Sequence, residues 1–241
     1  MNINVCFSPL LYSSYIGENE NNTIVIVADV FRATTSMCAA LKNGAKSIIP
    51  VRTVEEAFDY KQQGYLVGGE RNMEVLKFGD FGNSPSDYSE KLVKGHEVVI
   101  STTNGTRAID EASNCYCLII GSFSNLSAIA EYCISQQKDV LVLCAGWKDT
   151  FNMEDTLFGG AMVEKLAEAG FNASFDASQI ALSMWKEAKP DVMKYLERSE
   201  HIKRLAKYNL LEVARFCVTP DTANVLPVYD KGTKRITNKL V

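Results

Sequence analysis

The chain has 241 residues, of which 46% are hydrophobic and 22% are charged, and its formal net charge at pH 7 is -4. This composition is ordinary for a soluble globular protein, and the acidic balance argues against non-specific binding to nucleic acid or to a membrane surface. No apolar run approaches the roughly 20 residues that a membrane-spanning helix needs, and the N-terminus lacks the basic start and long apolar stretch of a secretory signal. We therefore expect a cytoplasmic protein.

The cysteines and histidines of this sequence show no metal-binding or catalytic pattern. The seven cysteines are scattered and form no CxxC pair, which excludes a zinc ribbon or thioredoxin motif and favours buried free thiols. The two histidines, His96 and His201, have no metal-ligand spacing. Chemistry built on a histidine base is therefore disfavoured.

Short apolar runs alternate with helical patterns along the chain. The predicted strands lie at residues 3–7, 24–28, 47–51, 65–69, 97–101, 115–121, 139–144 and 224–229. The helices between them are predicted to end near residues 44, 64, 112, 135 and 170. Such alternation is typical of βαβ units that build a mostly parallel sheet.

We predict an α/β fold of three layers, α/β/α, with a helical C-terminal portion at residues 177–216 that is interrupted at Pro190. Residues 8–22 and the segment from Lys231 onward are predicted to be polar and irregular. One domain over residues 1–241 is the preferred organisation, and two subdomains that meet near residue 125 are the alternative.

The strand at residues 24–28 ends at an acid, Asp29, which is closely followed by Arg32, Thr34 and Thr35. Open α/β sheets bind ligands at the carboxyl ends of their strands. An acid, a guanidinium group and hydroxyls at that point indicate a site for a metal and a phosphate. Taken singly, Asp29 could equally be a helix cap and Arg32 one half of a structural ion pair.

Other strand ends carry polar groups of the same kind. They are Glu70 with Arg71, the run Thr103, Asn104, Gly105, Thr106 and Arg107, and the segment after Cys144 that leads to Glu154 and Asp155. Asn83 and Ser84, in the long loop 72–89, are further candidates. In one parallel sheet these ends would share an edge. Each has a plain alternative, such as a turn at Asn104-Gly105 or helix-dipole stabilisation by Glu154 and Asp155. Neither GxxxxGK[ST] nor GxGxxG is present, which argues against a generic nucleotide site.

Several phrases occur in a fixed order: ADVFRATTS, GGERN, FGNSP, STTNGT, and CAGW followed by MEDTLFGGA. In this order they resemble the 2-phosphosulfolactate phosphatase (ComB-like) family from about Ile24 to Val163, and TPDTANVLPVY resembles that family's ending. Met73, which follows GGERN where the family commonly has glycine, is a departure that bears on substrate choice.

The resemblance implies a Mg²⁺-dependent phosphatase that hydrolyses 2-phosphosulfolactate, or related 2-hydroxy-acid phosphates, to sulfolactate and phosphate on a route to coenzyme M. We expect the catalytic residues to be Asp29, Arg32, Glu154 and Asp155. We expect the Mg²⁺ ligands to come from Asp29, Glu70, Glu154 and Asp155. The expected substrate-binding residues are Arg32, Thr34, Thr35, Arg71, Asn83, Ser84, Thr103, Asn104, Gly105, Thr106 and Arg107.

Two matters stay open at the level of sequence. The nucleophile could be a water positioned by a carboxylate or Asp29 itself, through an aspartyl-phosphate. The function could also be non-catalytic binding of small sulfonate or carboxylate anions, or phosphotransfer to an acceptor. The expected partner is a small anionic phosphorylated molecule, and a homodimer is the expected assembly.

Overall fold

A computed structural model describes residues 1–71, 74–148 and 150–240, with the backbone alone at Arg71. Asn72, Met73, Asp149 and Val241 lie outside the described residues, as does the side chain of Arg71. The expectations for the Arg71 side chain and for the departure at Met73 therefore stay predictions.

The strands of the described residues form one sheet of ten. They are β1 (Ile3–Cys6), β2 (Thr23–Ala28), β3 (Ser47–Val51), β4 (Leu66–Arg71), β5 (Glu74–Val75), β6 (Glu97–Ser101), β7 (Cys117–Gly121), β8 (Asp139–Cys144), β9 (Pro227–Asp230) and β10 (Arg235–Asn238). Their order across the sheet is β1-β8-β2-β7-β9-β10-β3-β6-β4-β5.

The sheet consists of two parallel blocks joined by the C-terminal hairpin. β1, β8, β2 and β7 are parallel neighbours, and so are β3, β6 and β4. The pairings β7–β9, β9–β10 and β10–β3 are all antiparallel, so the second block runs in the opposite sense to the first. The mostly parallel α/β sheet is confirmed, but the expectation that all the strand ends share one edge of a single parallel sheet is wrong.

Strand β2 shows why the sheet is covered on both faces. Its sequence TIVIVA is apolar and rich in β-branched residues, and all six residues are buried. Ile24 and Ile26 pack into one hydrophobic core, whereas Val25 and Val27 pack into another. Because successive side chains of a strand point to opposite faces, each face of the sheet needs its own layer of helices, as predicted.

Eleven α-helices occur in the described residues. They are α1 (Tyr12–Ile16), α2 (Ala33–Lys42), α3 (Val54–Gln62), α4 (Glu90–Val93), α5 (Asn104–Glu111), α6 (Leu126–Gln136), α7 (Met153–Glu168), α8 (Asp176–Ala188), α9 (Val192–Leu196), α10 (Glu200–Lys207) and α11 (Leu211–Cys217). Helices α6 to α11 supply the core on one face, and α1, α2, α4 and α5 supply the core on the other. None of these helices has the length and apolar content to cross a bilayer.

The predicted elements differ from the structure mainly near the chain ends. Residues 8–22, predicted to be irregular, contain α1, and the predicted strand at 224–229 begins only at Pro227. Strand β10 falls in a segment that was predicted to be irregular, because only Ile236 of its residues is fully buried. Its strand conformation follows from pairing with β9 and β3 rather than from local sequence. The single domain and its alternative junction near residue 125 stay predictions.

Candidate active site

A cleft of about 460 Å³ collects side chains from near the ends of four strands, β2, β4, β6 and β8, and from helix α10. It is lined by Asp29, Phe31, Arg32, Ala33, Glu70, Asn83, Thr102, Thr103, Asn104, Trp147, Lys148, His201, Arg204 and Tyr208. Although the two sheet blocks run in opposite senses, residues distant in sequence meet here.

The turn from β2 into α2 aims Asp29 and Arg32 at the cleft. The Asp29 N–H donates to the Thr34 hydroxyl at 3.2 Å, and the Thr34 N–H donates back to the Asp29 carbonyl at 3.0 Å. The Thr35 hydroxyl donates to the Val30 carbonyl at 3.0 Å. The two threonine hydroxyls are thus engaged in shaping the turn.

Asp29 is a buried carboxylate at the start of helix α5. It is 8% exposed and accepts a hydrogen bond from the Gly105 N–H. A Cβ at position 105 would lie 3.2 Å from the Asp29 Oδ2 atom, so glycine allows this close approach. Burial raises the pKa of Asp29 from its ordinary 3.8 to about 6, with the negative charge of Glu154 acting in the same direction and His201 and Gly105 opposing it.

Arg32 is held by two partners from the other sheet block. Its guanidinium forms an ion pair with Glu70 and donates to the Ser84 hydroxyl at 2.7 Å. The Ser36 hydroxyl donates to the Asn83 carbonyl at 2.6 Å, which ties the loop of Ser84 to α2. Because a guanidinium has five N–H donors, Arg32 can bind a further acceptor while it keeps these contacts.

Glu154 and His201 form a buried pair beside Asp29. The Glu154 side chain is 1% exposed, and its Oε1 atom lies 2.6 Å from His201 Nδ1. The Glu154 Oε2 atom has no hydrogen-bond partner among the described residues. The Phe31 ring meets the imidazole edge-on at 5.4 Å between centroids, which helps to fix the orientation of His201.

Asp155 connects the loop that follows β2 with the loop that follows β8. Its Oδ1 atom accepts from the Val30 N–H at 2.8 Å, and its Oδ2 atom accepts from the Gly146 N–H at 3.2 Å and the Asn152 amide at 2.9 Å. Burial, with the charges of Glu154 and Asp29, raises the pKa of Asp155 well above its usual range, against the effect of the bonds from Val30 and Asn152. Both oxygens are engaged in joining the loops that follow β2 and β8.

Replacing Asp155 by asparagine tests this structural role. Asp155→Asn turns one accepting oxygen into an NH₂ group that faces N–H donors, so we expect the free energy of unfolding to fall by about 2–4 kcal/mol. Asp59→Asn, at an exposed aspartate of α3, is the matched control, because the same change there removes no buried hydrogen bond, and its free energy of unfolding should change by less than about 0.5 kcal/mol. Urea denaturation of both variants checks the difference, and equal losses would contradict it.

Two cations of the cleft lining lie over one aromatic ring. Arg204 Cζ lies 4.1 Å from the centroid of the Trp147 ring, and Lys148 Nζ lies 4.5 Å from it. The Trp147 backbone is fixed by mutual hydrogen bonds of 3.1 Å with Thr150. Positive charge is therefore concentrated at this end of the cleft.

Asp29 in the cleft and Glu154 beside it are two carboxylates that could hold a cation. No group of three or more His, Cys, Asp or Glu side chains in the described residues is arranged as a metal site. Mg²⁺, however, is usually bound by one or two carboxylates with waters and substrate phosphates. Asp29 and Glu154 interact electrostatically, and the Glu154 Oε2 atom has no other partner, so this hard-oxygen pair fits such an ion better than Glu70 or Asp155.

A sequence model of the 2-phosphosulpholactate phosphatase family matches residues 11–232 of the chain. The chain belongs to this family. The resemblance inferred from the ordered phrases is thereby confirmed.

Curated relatives of this 2-phosphosulpholactate phosphatase family member carry the name "Probable 2-phosphosulfolactate phosphatase", a phosphoric monoester hydrolase. The relative from Thermotoga maritima is 36% identical over 207 residues, which cover 86% of this chain and 89% of the relative. The relative from Caldanaerobacter subterraneus subsp. tengcongensis is 33% identical over 228 residues, covering 93% and 95%. That from Clostridium tetani is 33% identical over 211 residues, covering 86% and 90%. The likeness thus spans nearly the whole of each chain.

Most of the predicted site residues of this family member lie together. Asp29, Arg32, Glu70, Asn83, Thr103 and Asn104 line the cleft, while Ser84, Gly105 and Glu154 contact residues that do. Thr34, Thr35 and Thr106 use their hydroxyls within the protein, Thr106 on the Thr102 carbonyl. Arg107 is half-buried in α5 and outside the cleft lining. The roles assigned to these residues stay predictions.

Sequence reasoning missed the contribution of helix α10 to the cleft of this phosphatase family member. His201, Arg204 and Tyr208 all line it, although the sequence argued against histidine chemistry. The available signal was weak: a histidine and an arginine three residues apart on one helix face, with no motif nearby. Their meeting with Asp29 depends on tertiary packing alone.

Proposed function

We propose that the chain is a phosphatase that hydrolyses phosphate monoesters of small 2-hydroxy acids, 2-phosphosulfolactate foremost, to the free hydroxy acid and phosphate. The observation that carries this proposal is that Arg32 and the buried Asp29 carboxylate line one cleft, with the Glu154 carboxylate acting on Asp29 from beside it. Family membership and the names of the relatives support it.

We assign Mg²⁺ to Asp29 and Glu154, because the Glu154 Oε2 atom is buried without a partner. When bound there, the ion would neutralise charge on the phosphoryl group that is transferred. Glu70 and Asp155, which the sequence also placed in the metal set, are assigned instead to holding Arg32 and the loops, because their carboxylates make those contacts.

Arg32 and the start of α5 are the proposed phosphate-binding groups. The fork of Arg32 can bind two phosphate oxygens, and Thr103 and Asn104 lie where backbone N–H groups of a helix N-terminus attract an anion. In phosphoryl transfer most of the catalysis comes from positioning and charge stabilisation. The Glu70 and Ser84 contacts supply that positioning, since they hold the guanidinium before the substrate arrives.

The nucleophile is either a water molecule or the Asp29 carboxylate. The Gly105 N–H bond holds Asp29 in one orientation, which suits both routes. The stereochemistry at phosphorus separates them. With a phosphorothioate substrate made chiral by oxygen isotopes, inversion in the released thiophosphate indicates one displacement by water, whereas retention indicates two displacements through an aspartyl-phosphate.

Phosphate release from a panel of phosphorylated 2-hydroxy acids tests the function. We expect release with Mg²⁺, a fall of at least about 10²-fold with EDTA, and recovery when Mg²⁺ is restored in excess. Binding of the panel without release would indicate an anion-binding protein instead. Release that requires an added acceptor alcohol would indicate a phosphotransferase. A place on a route to coenzyme M, a cytoplasmic location and a homodimer stay predictions.

A further inference from the structure

We propose that Arg204, seated on Trp147 beside Lys148, binds the acid group of the leaving part of the substrate. The cleft would then select phosphate monoesters that carry a second anionic group, with the phosphate at Arg32 and the acid group at Arg204. This inference rests on the proposed function, because it adds a second anion subsite to the same cleft.

The first support is the distribution of charge in the cleft. Part of the charge of Arg32 is balanced by its ion pair with Glu70. Arg204 and Lys148, in contrast, contact the Trp147 ring, and neither forms an ion pair with an acid of the described residues. Two positive charges at this end are therefore available to an anionic ligand.

The second support is the geometry of the stack. A guanidinium that lies over an aromatic ring uses its face, so its N–H edge stays free for the bidentate contacts that carboxylates and sulfonates accept. Arg204 is half-buried, and a partly desolvated cation attracts an anion more strongly than an exposed one. Lys148 is exposed, so we expect it to contribute less than Arg204 to the binding of the anion.

The third support is space next to the stack. A second cavity of about 410 Å³ shares Trp147, His201 and Arg204 with the cleft. The stack is thus the boundary between two cavities, and a leaving group directed away from Arg32 arrives at Arg204. Glu154 and Glu200 line the second cavity, so we assign the acid group to the stack at the boundary and not to the interior of that cavity.

Two substrates that differ only in the acid group separate this role from binding of the phosphate. They are 2-phosphoglycolate and ethyl phosphate, in which a methyl group replaces the carboxylate. For Arg204→Ala we expect kcat/KM to fall roughly 10- to 100-fold with 2-phosphoglycolate and less than about threefold with ethyl phosphate. Arg204→Lys, which keeps the charge but loses the fork, should recover part of the loss. Lys203→Ala, an exposed neighbour on α10 outside both cavity linings, is the matched control.

Equal losses with the two substrates would overturn the proposal, because Arg204 would then act on the phosphate or on the fold. Sulfolactate carries two acid groups and no phosphate. Its binding, measured by calorimetry, tests the subsite without any dependence on turnover. Its Kd should weaken at least about tenfold in Arg204→Ala but not in Lys203→Ala, and an unchanged Kd in Arg204→Ala would also overturn the proposal. If wild-type protein binds sulfolactate through Arg204 but releases no phosphate, the proposed phosphatase function fails and the anion subsite stands.

Discussion

Asp29→Asn will lower kcat for phosphate release by at least about 10²-fold and, in the metal-free protein near pH 7, raise the free energy of unfolding. Both effects have one origin, because the Asp29 carboxylate is buried and its negative charge is needed for the proposed activity. Burial raises the pKa of Asp29 from 3.8 to about 6, so the folded protein binds this proton more tightly than the unfolded chain does. The stability linked to Asp29 is therefore complete below about pH 4 and is lost as the pH rises through about 6.

Asparagine cannot ionise, so the variant avoids this loss and should be more stable at pH 7 by on the order of 1–3 kcal/mol. Urea denaturation from pH 4 to pH 8 without Mg²⁺ measures the difference. Relative to Asp29→Asn, the wild-type protein should lose stability between about pH 4 and pH 6 and then level off. Asp59→Asn, at an exposed aspartate of α3, is the control for a surface charge. Parallel curves for wild type and Asp29→Asn, or near wild-type turnover with Mg²⁺, would remove Asp29 from its assigned role.

Arg32→Ala should lower kcat/KM by about 10²- to 10³-fold, because a preorganised donor to the phosphoryl group is lost. Arg32→Lys should recover less than about tenfold of this, since an ammonium group is a point charge that cannot hold Glu70, Ser84 and a phosphate with the same fork. Initial rates over a range of substrate concentrations give the values.

Glu70→Gln separates positioning from direct contact. It keeps Arg32 but removes the ion pair that orients it, so we expect an intermediate loss of about tenfold in kcat/KM. A loss as large as that of Arg32→Ala would move Glu70 from positioning to the reaction itself. Full activity in Arg32→Lys would show that charge alone, without the bidentate geometry, is enough.

The parts of the fold that local sequence encodes were predictable. The TIVIVA run of β2 is apolar on both faces and could only be a buried strand, and Thr53 with Glu56 forms the capping box that begins α3. Strand β10 was not predictable, because its residues are mostly polar and its conformation depends on partners distant in the sequence. The opposite sense of the two sheet blocks follows from that same hairpin.

The site was predictable where an unusual residue ends a strand, as Asp29 and Arg32 do. Glu154 and Asp155 could not be told apart, because adjacent residues of a helix point about 100° from each other and only the tertiary structure shows what each one meets. Glu154 meets His201, whereas Asp155 meets the loops at Val30 and Gly146. The contribution of α10 was likewise invisible, since no local pattern connects His201 with residues near the start of the chain.

The position of the β9–β10 hairpin also determines when the sheet can close. Because these strands fill the seam between β7 and β3, the middle of the sheet stays open until residues 227–238 have left the ribosome. Each block would present an unpaired edge during synthesis, the kind of edge that promotes aggregation. The hairpin that follows all other strands in the sequence is thus the one that closes the centre of the sheet.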